Sequence, residues 1–234
     1  MSGEQFTVCG QACDISETTE LNCHSYVSKE DIDNISKLSN LTKLYFYGHD
    51  IGDITPFLGL KKLTELELGS NKISDISPIS EFTSLIGLSL AKNEISDISP
   101  LSKLKNLKRL ELFKNKISDL TPLSELSGLT RLSLYENEIS NISPLSGLTN
   151  LDFLALARNP LRDLYPLSGL TNLTEVNLDI NQDLDLSPLF GLKKLEYLTL
   201  CFPSSADIDV KGIEKKLAAE LPNCEIEFEA IYRP

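Results

Sequence analysis

The stretch LTELELGSNKISDISPISEF, Leu63–Phe82, decides the fold. Leu66 and Leu68 alternate with Glu65, Glu67 and Gly69, the two-residue period of a short strand with its apolar side turned inward. Asn71 stands where that strand turns. An amide buried there can donate to and accept from backbone groups of neighbouring turns that no regular ladder satisfies. Its loss leaves those groups unpaired, at roughly 1–3 kcal/mol per site. Ile73 and Ile76 re-enter the core, and Ser77-Pro78 reads as a helix start, a hydroxyl cap followed by proline at the first helical position. Ile79 and Phe82 then point inward from a short helical arc.

The same phrase returns along the chain. Asn71, Asn93, Asn115, Asn137, Asn159 and Asn181 are spaced by 22 residues, and His49 fills the same slot one period earlier. Pro56, Pro78, Pro100, Pro122, Pro144, Pro166 and Pro188 keep that interval, as does a leucine column running from Leu41 to Leu195. Thr55, Ser99, Thr121, Ser143 and Ser187 repeat the expected cap, and Tyr165 alone departs from it. One such unit cannot bury its apolar edge, so the units must stack side by side.

The pattern L-x-x-L-x-L-x-x-N-x-I-x-D-I-x-P-L-x-x-L is that of a leucine-rich repeat. Its D-I-S-P-L-S-G-L-T-N-L phrase, met most nearly at Asn141–Leu151, resembles the 22-residue repeats of bacterial internalins and of a regulator of eukaryotic protein phosphatases. The resemblance covers about residues 41–200. It implies an α/β leucine-rich repeat solenoid, curved and right-handed, with a parallel β-sheet on the concave, partner-binding face and short 3-10 or helical arcs on the convex face.

Both ends leave the repeat. Residues 1–40 read as an N-terminal cap, 41–202 as the repeats and 203–234 as a C-terminal cap, all one structural domain. At the front, Ile32, Ile35 and Leu38 keep helical spacing, and Ser28 with Asp31 has the form of a capping box. At the back, Val210, Ile213, Leu217 and Leu221 give a helix one apolar face over roughly 207–220, and CEIEFEA, Cys224–Ala230, reads as a final strand.

Composition bounds the function. The 234 residues carry a formal charge of −12, which argues against nucleic acid or an anionic membrane as partner. No run of about 18 apolar residues and no signal-peptide pattern occurs, so the chain as given reads as soluble. His24 and His49 belong to no nucleophile or metal motif, and no phosphate-binding glycine loop is present. Cys9, Cys13, Cys23 and His24 have ligand types that suit zinc, in a spacing that matches no common zinc pattern. A disulfide among them and free thiols are the alternatives, and Cys201 with Cys224 is a second candidate pair. The aspartate column at Asp53, Asp75, Asp97, Asp119, Asp163 and Asp185 lies beside each helix start, where negative charge is locally favourable without calcium. No cofactor or metal is expected.

The fixed phase assigns the outward strand letters to columns, and strands about 4.8 Å apart make column neighbours surface neighbours. Arg109, Glu111, Phe113, Arg131, Tyr135, Phe153 and Arg158 then form a central patch of residue types enriched at binding hot spots. Glu111 is expected to offset the like charges of Arg109 and Arg131. Tyr45 and Tyr47, beside Lys43 and His49, form a second patch, separated from the first by Gly69, Gly87, Ser89 and Ala91. Asp50, Lys72, Glu94, Lys116 and Glu138 alternate in sign and read as an edge ladder serving solubility and register.

The reading that follows is a non-catalytic, monomeric scaffold that recognises a protein or peptide on its concave face. The internalin resemblance implies a secreted or cell-surface module, and the phosphatase-regulator resemblance a cytoplasmic adaptor. A structural or designed repeat protein without a natural ligand is the other alternative, against which stand the irregular NPLRDLYP, Asn159–Pro166, and NQDLDLSP, Asn181–Pro188.

Overall fold

The computed structural model describes residues 5–24, 27–181, 183–204 and 208–231. The chain divides into two compact units, Met1–Asn115 and Lys116–Pro234.

In the first unit, β1 (Gln5–Val8) and β2 (Gln11–Asp14) form an antiparallel hairpin, followed by β3 (Glu20–Asn22), α1 (Lys29–Ile35), β4 (Lys43–Tyr45), β5 (Glu65–Glu67), β6 (Gly87–Ser89) and β7 (Arg109–Glu111). Strands β3 to β7 pair in chain order, all parallel, each shifted from its neighbour by one repeat. The parallel pairing thus begins at Glu20, inside the segment read as a cap, where three letters are too few to announce a strand. The hairpin turns at Cys9 and Gly10, both left-handed at φ 50° and 74°. Cys9 is joined to Cys23 by a disulfide, and Cys13, Cys201 and Cys224 are free. The bond removes two of the four zinc-type ligands. Helix α1 carries the expected capping box, with Asp31 N donating to Ser28 Oγ at 3.1 Å and Ser28 N to Asp31 Oδ2 at 2.9 Å.

The second unit holds β8 (Arg131–Ser133), β9 (Phe153–Ala155), β10 (Glu175–Asp179), β11 (Tyr197–Pro203), α2 (Val210–Glu220) and β12 (Glu225–Ile231). Strands β8 to β12 are again parallel in chain order. Asp209 caps α2 by accepting from Gly212 N at 3.0 Å; the expected start at 207 lies outside the described residues. Cys201 registers with Glu229, whereas Cys224 precedes a strand whose Glu225 registers with Tyr197. The two cysteines therefore stand at opposite ends of the pair and cannot bridge.

Leu63, Leu66, Leu68, Ile73, Ile76, Ile79 and Phe82 are all buried to 1% exposure or less, so every apolar letter of the deciding stretch reaches the core. The asparagines act as the spacing requires. Asn93 Oδ1 accepts from Ile73 N of the preceding repeat at 3.0 Å, and its Nδ2 donates to Leu68 O and Leu90 O, each at 3.0 Å. Asn71 and Asn159 do the same. His49 substitutes at the front, its Nε2 reaching Cys23 O at 2.9 Å; a carbonyl only accepts, so Nε2 carries the proton. Asn181 ends the ladder: it is exposed and turns to Asp183 N, while Leu184 takes the half-buried place that Asp183 vacates.

Two features correct or extend the sequence reading. The arcs are 3-10 turns, such as Ser77–Glu81 and Tyr165–Leu167, and their caps are the aspartates, with Asn141 in the same place before Ser143, not the hydroxyls. Asp75 Oδ1 accepts from Ser77 N at 2.8 Å and from Ser77 Oγ at 2.6 Å, which holds its carboxyl below the ordinary aspartate value. A side chain two residues ahead of the turn closes it locally. This is why Tyr165 is tolerated: its backbone N still donates to Asp163 at 2.8 Å. Strands β4 to β9 are each followed by a left-handed corner, at Gly48, Ser70, Lys92, Lys114, Glu136 and Arg158. Five of those six lack the glycine that adopts such φ freely, at a cost of about 1 kcal/mol each.

Candidate functional site

The outward columns of each unit build its exposed sheet face. In the first unit, Lys43, Tyr45, Glu65, Glu67, Gly87, Ser89, Arg109 and Glu111 surround a depression of about 250 Å³. Arg109 Nη2 donates to Glu65 Oε1 at 2.7 Å across the intervening strand β6. A Cβ on Gly87 would collide with the Glu65 carboxylate and stand 3.0 Å from Arg109 Nη2, so the missing side chain is what lets the pair close. Tyr47 uses Gly69 in the same way. Its Cδ2 lies where a Cβ on Gly69 would come within 3.0 Å, and Lys92 Nζ donates to its hydroxyl at 3.3 Å. Hydrogen bonding by Ser70, then by Lys92, lowers the Tyr47 phenol pKa.

This geometry changes the expected grouping. The small residues do not separate Tyr45 from Arg109 and Glu111; they floor one depression lined by all three. Arg109 is offset by Glu65 rather than by Glu111, which instead accepts from Ser89 Oγ at 3.0 Å. Lys43 is held by Glu20 at 3.3 Å. Glu67 is pushed above the ordinary glutamate value, first by desolvation and then by the Glu111 and Glu65 carboxylates, with Arg109 pulling the other way. Phe113, just past β7, is half-buried.

The second unit's face is built differently. The Arg131 guanidinium lies 4.3 Å from the Phe153 ring centroid, with Asp152 Oδ1 3.7 Å from its Nη1. Arg158 lies 5.4 Å from the Tyr135 centroid and donates to Glu136 Oε2 at 3.2 Å. Tyr135 is half-buried against Ala157 and Cys201, both closed to solvent although their column faces outward. Small letters there, as at Gly69 under Tyr47, are covered by a neighbour's larger ring, so this column forms a thin second packing layer. Cys201 Sγ donates to Glu229 Oε2 at 3.7 Å, and burial, followed by Glu229 and Asp179, pushes its thiol up to about 12. Tyr197, with 52% exposure, stands outward on β11.

The columns place Glu65 and Glu67 outward without assigning them to a site, and sequence reasoning missed Lys92 and Asp152 as members of these faces. The signal for the first three was the pair of glycines at 69 and 87, each a gap that a longer neighbour must cross. Among the described residues no group of three or more His, Cys, Asp or Glu is placed to hold a metal ion, and the aspartate column serves as caps.

The family model for leucine-rich repeats in two copies matches residues 39–81, 83–125 and 127–169. Internalin C2 of Listeria monocytogenes is 34% identical with a TM-score of 0.74, over 82% of this chain and 85% of its own. The internalin inlF of the same organism is 29% identical with a TM-score of 0.69, over 94% of this chain and 72% of its own. A plant peptide hormone receptor, in complex with RGF2, shares the fold alone at 18% identity and a TM-score of 0.61, over 83% of this chain and 33% of its own. Comparison with curated protein sequences gives no match. The chain belongs to the leucine-rich repeat family, with repeats of the internalin type. Proteins of this family are in general non-catalytic, protein-binding scaffolds.

Proposed function

We propose that the exposed sheet face of each unit binds a protein or peptide partner, in the manner of an internalin, with Arg131, Phe153, Arg158 and Tyr135 contributing in the second unit and Phe113, Arg109, Glu111, Tyr45 and Tyr47 in the first. The carrying observation is the Arg131–Phe153 stack. The guanidinium rests on the ring at 4.3 Å while its side chain stays 50% exposed, so its position is fixed by the protein and its donors still face solvent. A flat, pre-oriented guanidinium loses little freedom on meeting a carboxylate or carbonyl of a partner.

The Cys9–Cys23 disulfide favours the secreted or cell-surface reading over the cytoplasmic adaptor, since such bonds persist in oxidising compartments. Among the described residues no helix is long and apolar enough to cross a membrane.

A photo-crosslinking residue placed at Phe153 is expected to capture a partner that the same residue at Ser124, exposed on the arc side of that unit, does not. Capture should drop in an Arg131→Ala background whose melting curve is unchanged. Equal capture from both positions sinks the proposal.

A further inference from the structure

The first unit's depression carries charges that do not balance within the chain. Glu65, Glu67 and Glu111 line it against Lys43 and Arg109. Arg109 is engaged by Glu65 at 2.7 Å and Lys43 by Glu20 at 3.3 Å. Glu67 and Glu111 are left without a cation of their own, on strands β5 and β7 that flank β6.

The floor between them is built to be empty. The Glu65–Arg109 pair lies over Gly87, and beside it Ser89 carries only a short side chain, so the space above Ser89 lies open between two carboxylates whose strands are about 10 Å apart. One end is closed by the Arg109–Glu65 pair, and Tyr45 lines the other side. We propose that this depression receives a lysine or arginine side chain of the protein partner, inserted over Ser89 between Glu67 and Glu111. The inference rests on the reading of the sheet face as the binding surface and names the chemistry which that face takes.

Three further observations converge on a cation carried by a side chain. A partner carboxylate would meet Glu67 and Glu111 and find Arg109 already paired. The formal charge of −12 draws a basic segment toward the chain at long range. Because no acidic group here is arranged for a metal ion, the shape suits an extended organic cation that spans two strands, with the Tyr45 ring available to its charge. The raised carboxyl of Glu67 agrees, since an arriving cation relieves the same repulsion.

The test is a titration of the full chain, followed by amide NMR, with N-acetyl-arginine methylamide and N-acetyl-lysine methylamide. N-acetyl-citrulline methylamide serves as the neutral shape control. Saturable shifts are expected at the amides of Gly87 and Ser89, with the Glu67 carboxyl titrating lower in the presence of the cation. Binding should weaken about tenfold with the citrulline probe and in Glu67→Gln, the loss of one charge-assisted hydrogen bond. The single variant removes no hydrogen bond among the described residues and relieves carboxylate repulsion, so a melting temperature no lower than that of the parent chain is expected alongside. Shifts spread equally over other carboxylates such as Glu225 and Glu227, or equal binding of the citrulline probe, overturn the inference. A partner captured from Phe153 but indifferent to Glu67→Gln also overturns it, and leaves the binding-face reading standing. Arginine binding without any captured partner overturns that reading alone.

Discussion

The two sheet faces use one backbone and solve the same problem in opposite ways. In the first unit, glycine in an outward column opens a gap, and ionic groups two strands apart reach across it, as Glu65 and Arg109 do over Gly87. In the second unit the gap over Ala157 is filled by the Tyr135 ring, and arginines lie on rings, as Arg131 does on Phe153. One face keeps an open depression; the other is packed against Ala157 and Cys201. The period of the repeat supplies equivalent positions, and the size of the column letter decides whether a position becomes part of a site or part of a second, thinner core.

The sharpest contrast is expected in the cysteines. Reducing Cys9–Cys23, which closes a loop of sequence separation 14, should cost the first unit about 3 kcal/mol. Hydrogen exchange resolved by residue should place the loss around β1 to β4. Cys201 in the second unit, with its thiol pushed up to about 12, should resist iodoacetamide at pH 8 until the protein unfolds. Rapid labelling of native Cys201 breaks the claim that this face is packed.

Truncating the two tyrosines comes next. Tyr135→Ala uncovers Ala157 and Cys201 and is expected to cost about 2 kcal/mol in a denaturant titration, below the range for a fully buried ring. Tyr47→Ala, at a ring that is 53% exposed, should cost under about 1 kcal/mol. Equal losses would erase the distinction between the faces.

Smaller still are the arginines. Arg109→Ala and Arg131→Ala should each cost about 0–1 kcal/mol, but the first loss should fade in 1 M salt because it removes an exposed ion pair. The second should persist, since a stacked guanidinium also buries its flat face. The least effect belongs to Glu67, whose folded carboxyl is raised. Its ionisation opposes folding, a cost absent below the ordinary glutamate value and complete above the raised one. Glu67→Gln should therefore raise the melting temperature slightly near pH 7 and leave it unchanged near pH 3; a gain that survives at pH 3 has another cause.

The repeat, the inward leucines and the asparagine ladder were legible because a strict period of 22 residues ties each letter to one chemical duty, and departures such as Asn181 mark themselves. The hairpin of β1 and β2 was not, since Cys9-Gly10 lacks the usual hairpin pair and its strands are four residues each. The caps were misassigned between neighbours. Asp75 and Ser77 both carry cap-forming side chains, and only the turn geometry shows which one the backbone N–H meets. The site was legible by column but not by partner. Spacing places Arg109 beside Glu111 and Gly87, yet its guanidinium travels two strands to Glu65, a choice set by side-chain reach and by the absence of a Cβ on the way. Exposed aromatics were overcounted for a related reason: a ring beside an alanine lies down.

Among the described residues strand β12 pairs with β11 alone, and its other edge borders the parallel pairing. Its outward letters Glu225, Glu227 and Glu229 repeat a negative charge along that border. A second copy arriving edge to edge would bring like charges into register at each step, so the border is chemically self-avoiding at neutral pH. Three glutamates thus give the edge of the described pairing a repulsive border of its own.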